Sequence, residues 1–340
     1  MGAGVAETKK RVLSGMQTSG RMHLGNYHGA VENWVRLQDE YDCFFFCADL
    51  HSLTMFYGDS TDVVPNTLDI ATNLLAAGID PNRSVLFLQS LVHEHCELFT
   101  VLSMMTPLGW LERVPTFKEK IVEVETADLH THGFLGYPVL QTADIILYNA
   151  HFVPVGEDQV AHLELARELT RKFHFHHGEL FVEPQPLLTQ FSRLPGLDGR
   201  KMSKSYNNAI YLSDDDETVR KKVMNAVTDP QRQRRTDPGR PEVCNIHQYR
   251  KVYAAPERVA EIDADCRAAR IGCVDCKKDV CRLMLERLAP LRARREDLAK
   301  RPGYVIDVLI EGSRKASAVA ADTMRRVRER MKMTIGRNGR

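Results

Sequence analysis

The sequence predicts an α/β protein, a parallel sheet with covering helices, followed by a smaller all-α region. Three observations carry this. Short apolar, β-rich runs alternate with helix-period segments over the first two hundred residues, which is the pattern of βαβ units. After Asp214-Asp215-Asp216-Glu217 the β-rich runs nearly vanish, and Val223, Val259, Leu283, Leu288, Val308 and Val319 recur at helical spacing. Charge also divides the chain. Its 340 residues sum to +1, yet residues 1–199 carry 13 basic and 25 acidic side chains against 33 and 20 in residues 200–340. The expected organisation is a Rossmann-like domain over 1–212, a basic helical domain over 213–330 and a tail, 331–340.

The elements follow in order. Arg11 to Ser14 reads as the first strand, Leu24 to Asp39 as helix, and Cys43 to Ala48 as a buried strand. Val63 to Ala77 has helical spacing, and Ser84 to Leu88 is again β-rich. Tyr137 to Asn149 reads as helix, Phe152 to Val155 as strand and Asp158 to Phe173 as helix. The Arg-rich segment Gln231 to Arg240, holding Pro238 and flanked by Pro230 and Pro241, is expected to be an irregular loop.

Composition excludes several classes. With 43% hydrophobic and 27% charged residues the chain can bury cores, so general disorder is out. No apolar run follows a basic start, and the densest apolar stretch, Cys43 to Leu53, is broken by Asp49 and His51. Neither a secretory leader nor a membrane span is expected, which points to the cytoplasm and to eight cysteines kept as thiols or metal ligands. The basic half suits a polyanion such as nucleic acid; solvated, Arg-rich helix faces are the plainer alternative.

Two motifs bear chemistry. Between the first strand and helix stands Ser14-Gly15-Met16-Gln17-Thr18-Ser19-Gly20-Arg21-Met22-His23-Leu24-Gly25-Asn26-Tyr27. Its glycines allow close backbone approach to a ligand, and a helix starting here would aim free N–H groups at phosphate. His23 and Asn26, three apart, share one side of the first turn. Far along the chain, Gly199-Arg200-Lys201-Met202-Ser203-Lys204-Ser205 sets two lysines in a polar loop, as mobile point charges for a polyphosphate. Singly, each has a bland reading, a common βα turn or a solvated lysine face.

Together the His-x-Gly-x turn and the Lys-Met-Ser-Lys-Ser loop resemble the two signatures of class I aminoacyl-tRNA synthetases. The middle of the chain, Gly136-Tyr137-Pro138-Val139-Leu140-Gln141-Thr142-Ala143-Asp144-Ile145-Ile146-Leu147-Tyr148 with Val153-Pro154-Val155-Gly156-Glu157-Asp158-Gln159 and His162, is similar to tryptophanyl-tRNA synthetases of the bacterial type. The likeness spans nearly the whole chain. One departure is Thr18, where the family usually has proline.

The resemblance implies a tryptophan–tRNA ligase, using ATP with Mg²⁺ to form tryptophanyl-adenylate and then charging tRNA(Trp), and working as a homodimer. Lys201, Lys204, His23, Asn26 and Gln17 would be catalytic. Gln17, Thr18, Ser19, Gly25, Asn26, Gly156, Glu157, Asp158, Leu194, Lys201, Met202, Ser203, Lys204 and Ser205 would bind ATP. Asp144 would accept the indole N–H, Tyr137, Gln141 and Gln159 would hold the amino group, and His51, Val153 and Val155 would wall the ring. A tyrosine-activating sister synthetase and a non-catalytic RNA-binding iron–sulfur protein are the alternatives. Arg232, Arg234, Arg235, Lys277 and Lys278 are candidate phosphate contacts.

Cys244, Cys266, Cys273 and Cys276 lie at spacings of 21, 6 and 2 intervening residues, a density that indicates a soft-metal site, zinc or iron–sulfur. A subset of the family has a similar run, usually one residue longer in its first gap, that holds a [4Fe-4S] cluster. Cys43, Cys47 and Cys281 read as core. His93 with His95, and the other histidine pairs, read as solvated or packing residues.

Overall fold

The computed structural model describes residues 9–114, 129–156, 159–188, 194–204 and 206–335. Its sheet is built around β2 (Asp42–Ala48), whose Cys-Phe-Phe-Phe-Cys run is buried on both faces and so shows no apolar–polar alternation. Cys43, Phe45 and Cys47 enter one core with Val12, where Trp34 stacks on Phe45 at 4.9 Å. Phe44 and Phe46 enter the opposite core with Leu13 and Phe87. Burial pushes the Cys43 thiol up to about 12, in keeping with a packing role.

Strands β1 (Arg11–Gln17), β2, β3 (Ser84–Leu88), β4 (Phe152–Val155) and β5 (Gln185–Leu188) run in the spatial order β3-β2-β1-β4-β5, all parallel. The order reverses between β1 and β4, so a crevice opens outside the carboxyl ends of these two strands, where open α/β sheets bind ligands.

The helices are α1 (Leu24–Asn26), which passes through a π turn (Tyr27–Val31) into α2 (Glu32–Glu40), then α3 (Asp49–Phe56), α4 (Val63–Ala77), α5 (Glu94–Ser103), α6 (Leu108–Leu111), α7 (His132–Leu147) and α8 (Val160–His177). The helical region adds α9 (Asp216–Asn225), α10 (Asn245–Tyr253), α11 (Pro256–Arg267), α12 (Cys273–Ala299) and α13 (Pro302–Arg330). Segment 231–240 holds neither helix nor strand, as its proline and charges suggested.

Two elements differ from expectation. Helix α7 starts five residues before Tyr137, because Thr131 caps it by accepting from the Phe134 N–H; Gly133, Gly136 and Pro138 disguise that start. Strand β5 is short and contains Pro186, a combination tolerated at a sheet edge but invisible to a propensity reading.

The helical region does not stand apart from the sheet. Helix α13 lies along edge strand β3, whose Leu88 N–H donates to Ser313 Oγ at 3.1 Å. Gly312 is required there, since a Cβ would sit 1.8 Å from the Leu86 carbonyl oxygen. Met284, Leu288, Val305 and Leu309 belong to the same core as Val12 and Phe45. The last helix thus covers an edge that would otherwise offer unpaired backbone groups. Among the described residues no helix is long and apolar enough to cross a membrane.

Candidate active site

At the carboxyl end of β1 the chain turns through Ser19 and Gly20 into α1. His23 is the N-cap, its Nδ1 accepting from the Asn26 N–H at 3.2 Å while Asn26 Oδ1 accepts from the His23 N–H at 3.2 Å. This reciprocal box fixes both side chains. Burial, with the neighbouring charges of Lys204 and Lys201, lowers the His23 pKa to about 4, so the ring is neutral near pH 7. Because Nδ1 is used as an acceptor, the ring proton sits on Nε2 and makes that atom a donor.

The lysine loop closes over this turn from 180 residues away. Met202 is buried, with its Sδ 3.3 Å from the Gly25 N–H. Lys204 Nζ lies 3.5 Å from Ser19 Oγ. Gly20 has φ +143°, and a Cβ on it would fall 2.7 Å from Lys204 Nζ, so both its backbone conformation and the approach of the lysine call for glycine. Burial pushes Lys204 down to about 8, with Asp69 opposing the shift.

The loop is held by a residue that sequence reasoning missed. Asn208, 2% exposed, accepts the Ser203 N–H at 2.8 Å and donates to Asp198 at 2.7 Å and to the Lys201 carbonyl at 3.0 Å. Only an alignment, or the asparagine's closeness to the lysines, could have signalled it.

Beside these groups the crevice between β1 and β4 deepens into a cavity of about 280 Å³, lined among others by Gln17, Phe46, Tyr137, Gln141, Val153, Val155 and Gln159. Its inner end is Asp144, 1% exposed. One carboxylate oxygen, Oδ2, accepts from His51 Nε2 at 2.7 Å; the other, Oδ1, accepts from His95 Nδ1 at 2.6 Å and from Gln89 Nε2 at 2.8 Å. Burial alone would raise the pKa of Asp144, but the charge and hydrogen bonds of His51 and His95 hold it well below the ordinary carboxylate range. The Tyr137 hydroxyl and His162 Nε2 share a hydrogen bond of 2.7 Å.

Several expectations need correction. Thr18, expected at the ATP site, is fully buried with Oγ1 3.1 Å from Ser52 Oγ, so its side chain braces the turn onto α3. The first-turn N–H groups are not free for phosphate: Leu24 donates to the Ile210 carbonyl, Gly25 to Met202 and Asn26 to His23. His51 is more than a wall, since it bonds Asp144. His95, read as solvated or packing, is 0% exposed and grips the same carboxylate, whereas His93 is exposed as expected. Leu194 is buried in the core that also holds Met202. Glu157, Asp158 and Ser205 lie outside the described residues; Gly156 is exposed at the end of β4.

In the helical region Cys244, Cys266, Cys273 and Cys276 are partly buried thiols close enough to influence one another's ionisation. Arg232 Nη1 points at the sulfurs of Cys266 and Cys273, at 3.6 and 3.9 Å, and Arg250 Nη2 lies 3.1 Å from that of Cys276. Among the described residues no three His, Cys, Asp or Glu side chains are placed to hold a metal ion. Two candidate phosphate contacts are otherwise engaged. Arg232 also donates to the Arg235 and Ile271 carbonyls, and Lys277 Nζ to that of Met224 at 2.7 Å. Arg234, Arg235 and Lys278 are exposed. Cys281 is core, as expected.

A parallel sheet whose switch point carries a neutral histidine cap and a lysine loop packed onto it is the architecture of a class I aminoacyl-tRNA synthetase. Residues 6–289 match the family model described as tRNA synthetases class I (W and Y). A tryptophan–tRNA ligase of Thermotoga maritima is 47% identical over 95% of this chain and 99% of its own length, and one of Aquifex aeolicus 42% identical over 95% and 100%. The crystal structure of the tryptophanyl-tRNA synthetase of Campylobacter jejuni with ADP and tryptophan superposes with a TM-score of 0.85 at 34% identity, covering 95% of this chain and 99% of that one. The chain belongs to the tryptophan–tRNA ligase family.

Proposed function

We infer that this chain activates tryptophan with ATP, releasing diphosphate, and transfers the tryptophanyl group from the adenylate to tRNA(Trp). The observation that carries this reading is the shared location of the two signatures and the Asp144 cavity at one end of β1. In the first step a tryptophan carboxylate oxygen attacks the α-phosphorus and the bond to the bridging oxygen breaks, so positioning and charge neutralisation matter more than proton transfer. Lys201 and Lys204 neutralise charge growing on the phosphates, and Mg²⁺ enters with ATP as part of the substrate. His23 Nε2–H and the Asn26 amide donate to the nucleotide. Gln17, Ser19, Gly25, Gly156, Met202 and Ser203 border the ATP side.

In the cavity, Asp144 offers an acceptor to the indole N–H, the one side-chain donor that tryptophan has. Tyr137, Gln141 and Gln159 sit where they can hold the amino group, and Val153 and Val155 flank the ring. Residues 1–212 perform this chemistry, while the basic helical region, residues 213–330, takes the anticodon arm through exposed groups such as Arg234, Arg235 and Lys278. Cytoplasmic action as a homodimer accompanies this role in the family.

The four cysteines suit a [4Fe-4S] cluster better than zinc. Their spacing resembles the run that holds such a cluster in part of the family, and guanidinium N–H groups aimed at sulfur would offset its negative charge. Cys244, Cys266, Cys273 and Cys276 would hold it; electron transfer is the chemistry such a group supplies when bound.

Tryptophan-dependent ATP–diphosphate exchange tests the function. Exchange should require tryptophan, and equal exchange with tyrosine would overturn the assignment.

A further inference from the structure

We propose that His95 is a specificity-determining positioning residue, which with Gln89 ties down one oxygen of Asp144 so that only the other is presented to the amino-acid side chain. The proposal rests on the tryptophan reading above and deepens it.

His95 is the second residue of α5, wholly buried, and does not line the cavity. Its ring lies among Phe46, Phe87 and Tyr148, with centroids 6.2, 6.0 and 5.5 Å away. The two nitrogens face polar partners at both ends: Nδ1 is 2.6 Å from Asp144 Oδ1 and Nε2 is 2.8 Å from the Tyr148 hydroxyl. Asp144 Oδ1 can only accept, so Nδ1 carries a hydrogen, while Nε2 shares one with the Tyr148 hydroxyl.

The terminal torsion of an aspartate is soft, so a carboxylate held at one oxygen can pivot. Here it cannot. His95 and Gln89 saturate Oδ1, and His51 takes one side of Oδ2. Asp144 nevertheless lines the cavity, which leaves Oδ2 as the acceptor facing a ligand. A Gln89 amide oriented to donate leaves its own Oε1 without a partner among the described residues, a cost consistent with service to Asp144. Tryptophan matches this fixed acceptor, whereas a ring without a donor leaves the ligand-facing side of Oδ2 without a partner, and sites of this kind reject such analogues strongly.

The test compares activation of tryptophan with that of its benzothienyl analogue, in which sulfur replaces the indole N–H. Wild type should favour tryptophan by about 10² or more. His95→Phe, which keeps a ring but removes the donor, should cut that ratio about tenfold through a higher KM for tryptophan, leaving the KM for ATP unchanged. His95→Asn restores an N–H at the place of Nδ1 and should recover most of the ratio. Should His95→Phe fail to fold, Tyr148→Phe decides, with an expected loss in the ratio of about threefold. An unchanged ratio in these variants, or equal losses with both amino acids and no recovery in His95→Asn, would overturn the proposal. A wild type inert toward tryptophan would instead reject the functional reading itself.

Discussion

His28 Nε2 and the Tyr253 hydroxyl lie 2.7 Å apart, joining the π turn that follows the histidine signature to helix α10 of the basic region across 225 residues of sequence. His28 also bonds Glu32 at 2.7 Å, and Arg287 bonds Glu32 at 2.9 Å while lying over the Tyr253 ring. The same helix reaches further. Asn245 donates to the Gly196 and Leu197 carbonyls and Tyr249 to that of Pro195, at the root of the lysine loop, and Arg250 holds Cys276. One nine-residue helix therefore touches segments flanking both signatures, and the cysteine group as well.

Tyr253→Phe removes one hydroxyl and leaves His28 Nε2 buried without it. The expected loss is about 1–3 kcal/mol of stability, the usual cost of an unsatisfied buried polar group. Denaturant unfolding measures that loss. Adenylate formation should also slow, since the π turn supports His23 and Asn26; unchanged activation in a destabilised variant would confine the bond to a structural role.

Asn208→Ala should loosen the lysine loop without touching the tryptophan cavity. Pre-steady-state activation should fall about tenfold or more, and tryptophan binding should stay as it was. Lys204→Ala should cost more, about 10²–10³ in the rate of adenylate formation, the usual scale for losing one preorganised charge contact. Equal losses in tryptophan affinity and rate would show that these residues support the cavity as well.

The titrations give a pH profile with definite signs. If Lys204 serves the phosphates as a cation, as proposed, its pKa of about 8 in the free protein means that kcat/KM for ATP should decline as pH rises through that value. His23 behaves oppositely with respect to stability. Its folded pKa of about 4 is below the ordinary 6.5, so the unfolded chain takes up the proton first. Stability is therefore full above pH 6.5 and falls between 6.5 and 4, by up to about 3 kcal/mol from this group. His23→Asn keeps an N-cap acceptor and removes the titration; unfolding at pH 4.5 and 7 should show a smaller pH difference in the variant than in wild type.

Much of this was legible beforehand, for physical reasons. Strands such as Ser84–Leu88 and Phe152–Val155 appear at their expected bounds because short apolar runs between turn residues have few other solutions. The signatures were readable because phosphate chemistry demands particular side chains at fixed spacing. His95 and Asn208 were not, since their value lies in partners 49 and 5 to 10 residues away that only the fold aligns. Thr18 misled for a similar reason: its position in the motif says where the backbone goes, not which way the hydroxyl turns. The charge split was half informative. Many arginines of the basic half are engaged in helix-surface pairs, as with Arg282 and Glu286 or Arg314 and Glu311.

The cysteine group offers a separate test. Anaerobically purified protein should be brown and carry about four irons per chain, as one [4Fe-4S] cluster requires. Cys273→Ser should lower the iron content. Arg250 is wholly buried and its guanidinium is shared between the Cys276 sulfur, the Cys276 carbonyl and Asp279, so it positions Cys276 on α12 relative to α10. Arg250→Lys keeps the charge but loses the fork of donors. It should weaken retention of iron during chelator challenge while leaving tryptophan-dependent exchange largely intact. A colourless preparation carrying one zinc per chain would reject the cluster, and iron retention indifferent to Arg250→Lys would separate this guanidinium from the metal site.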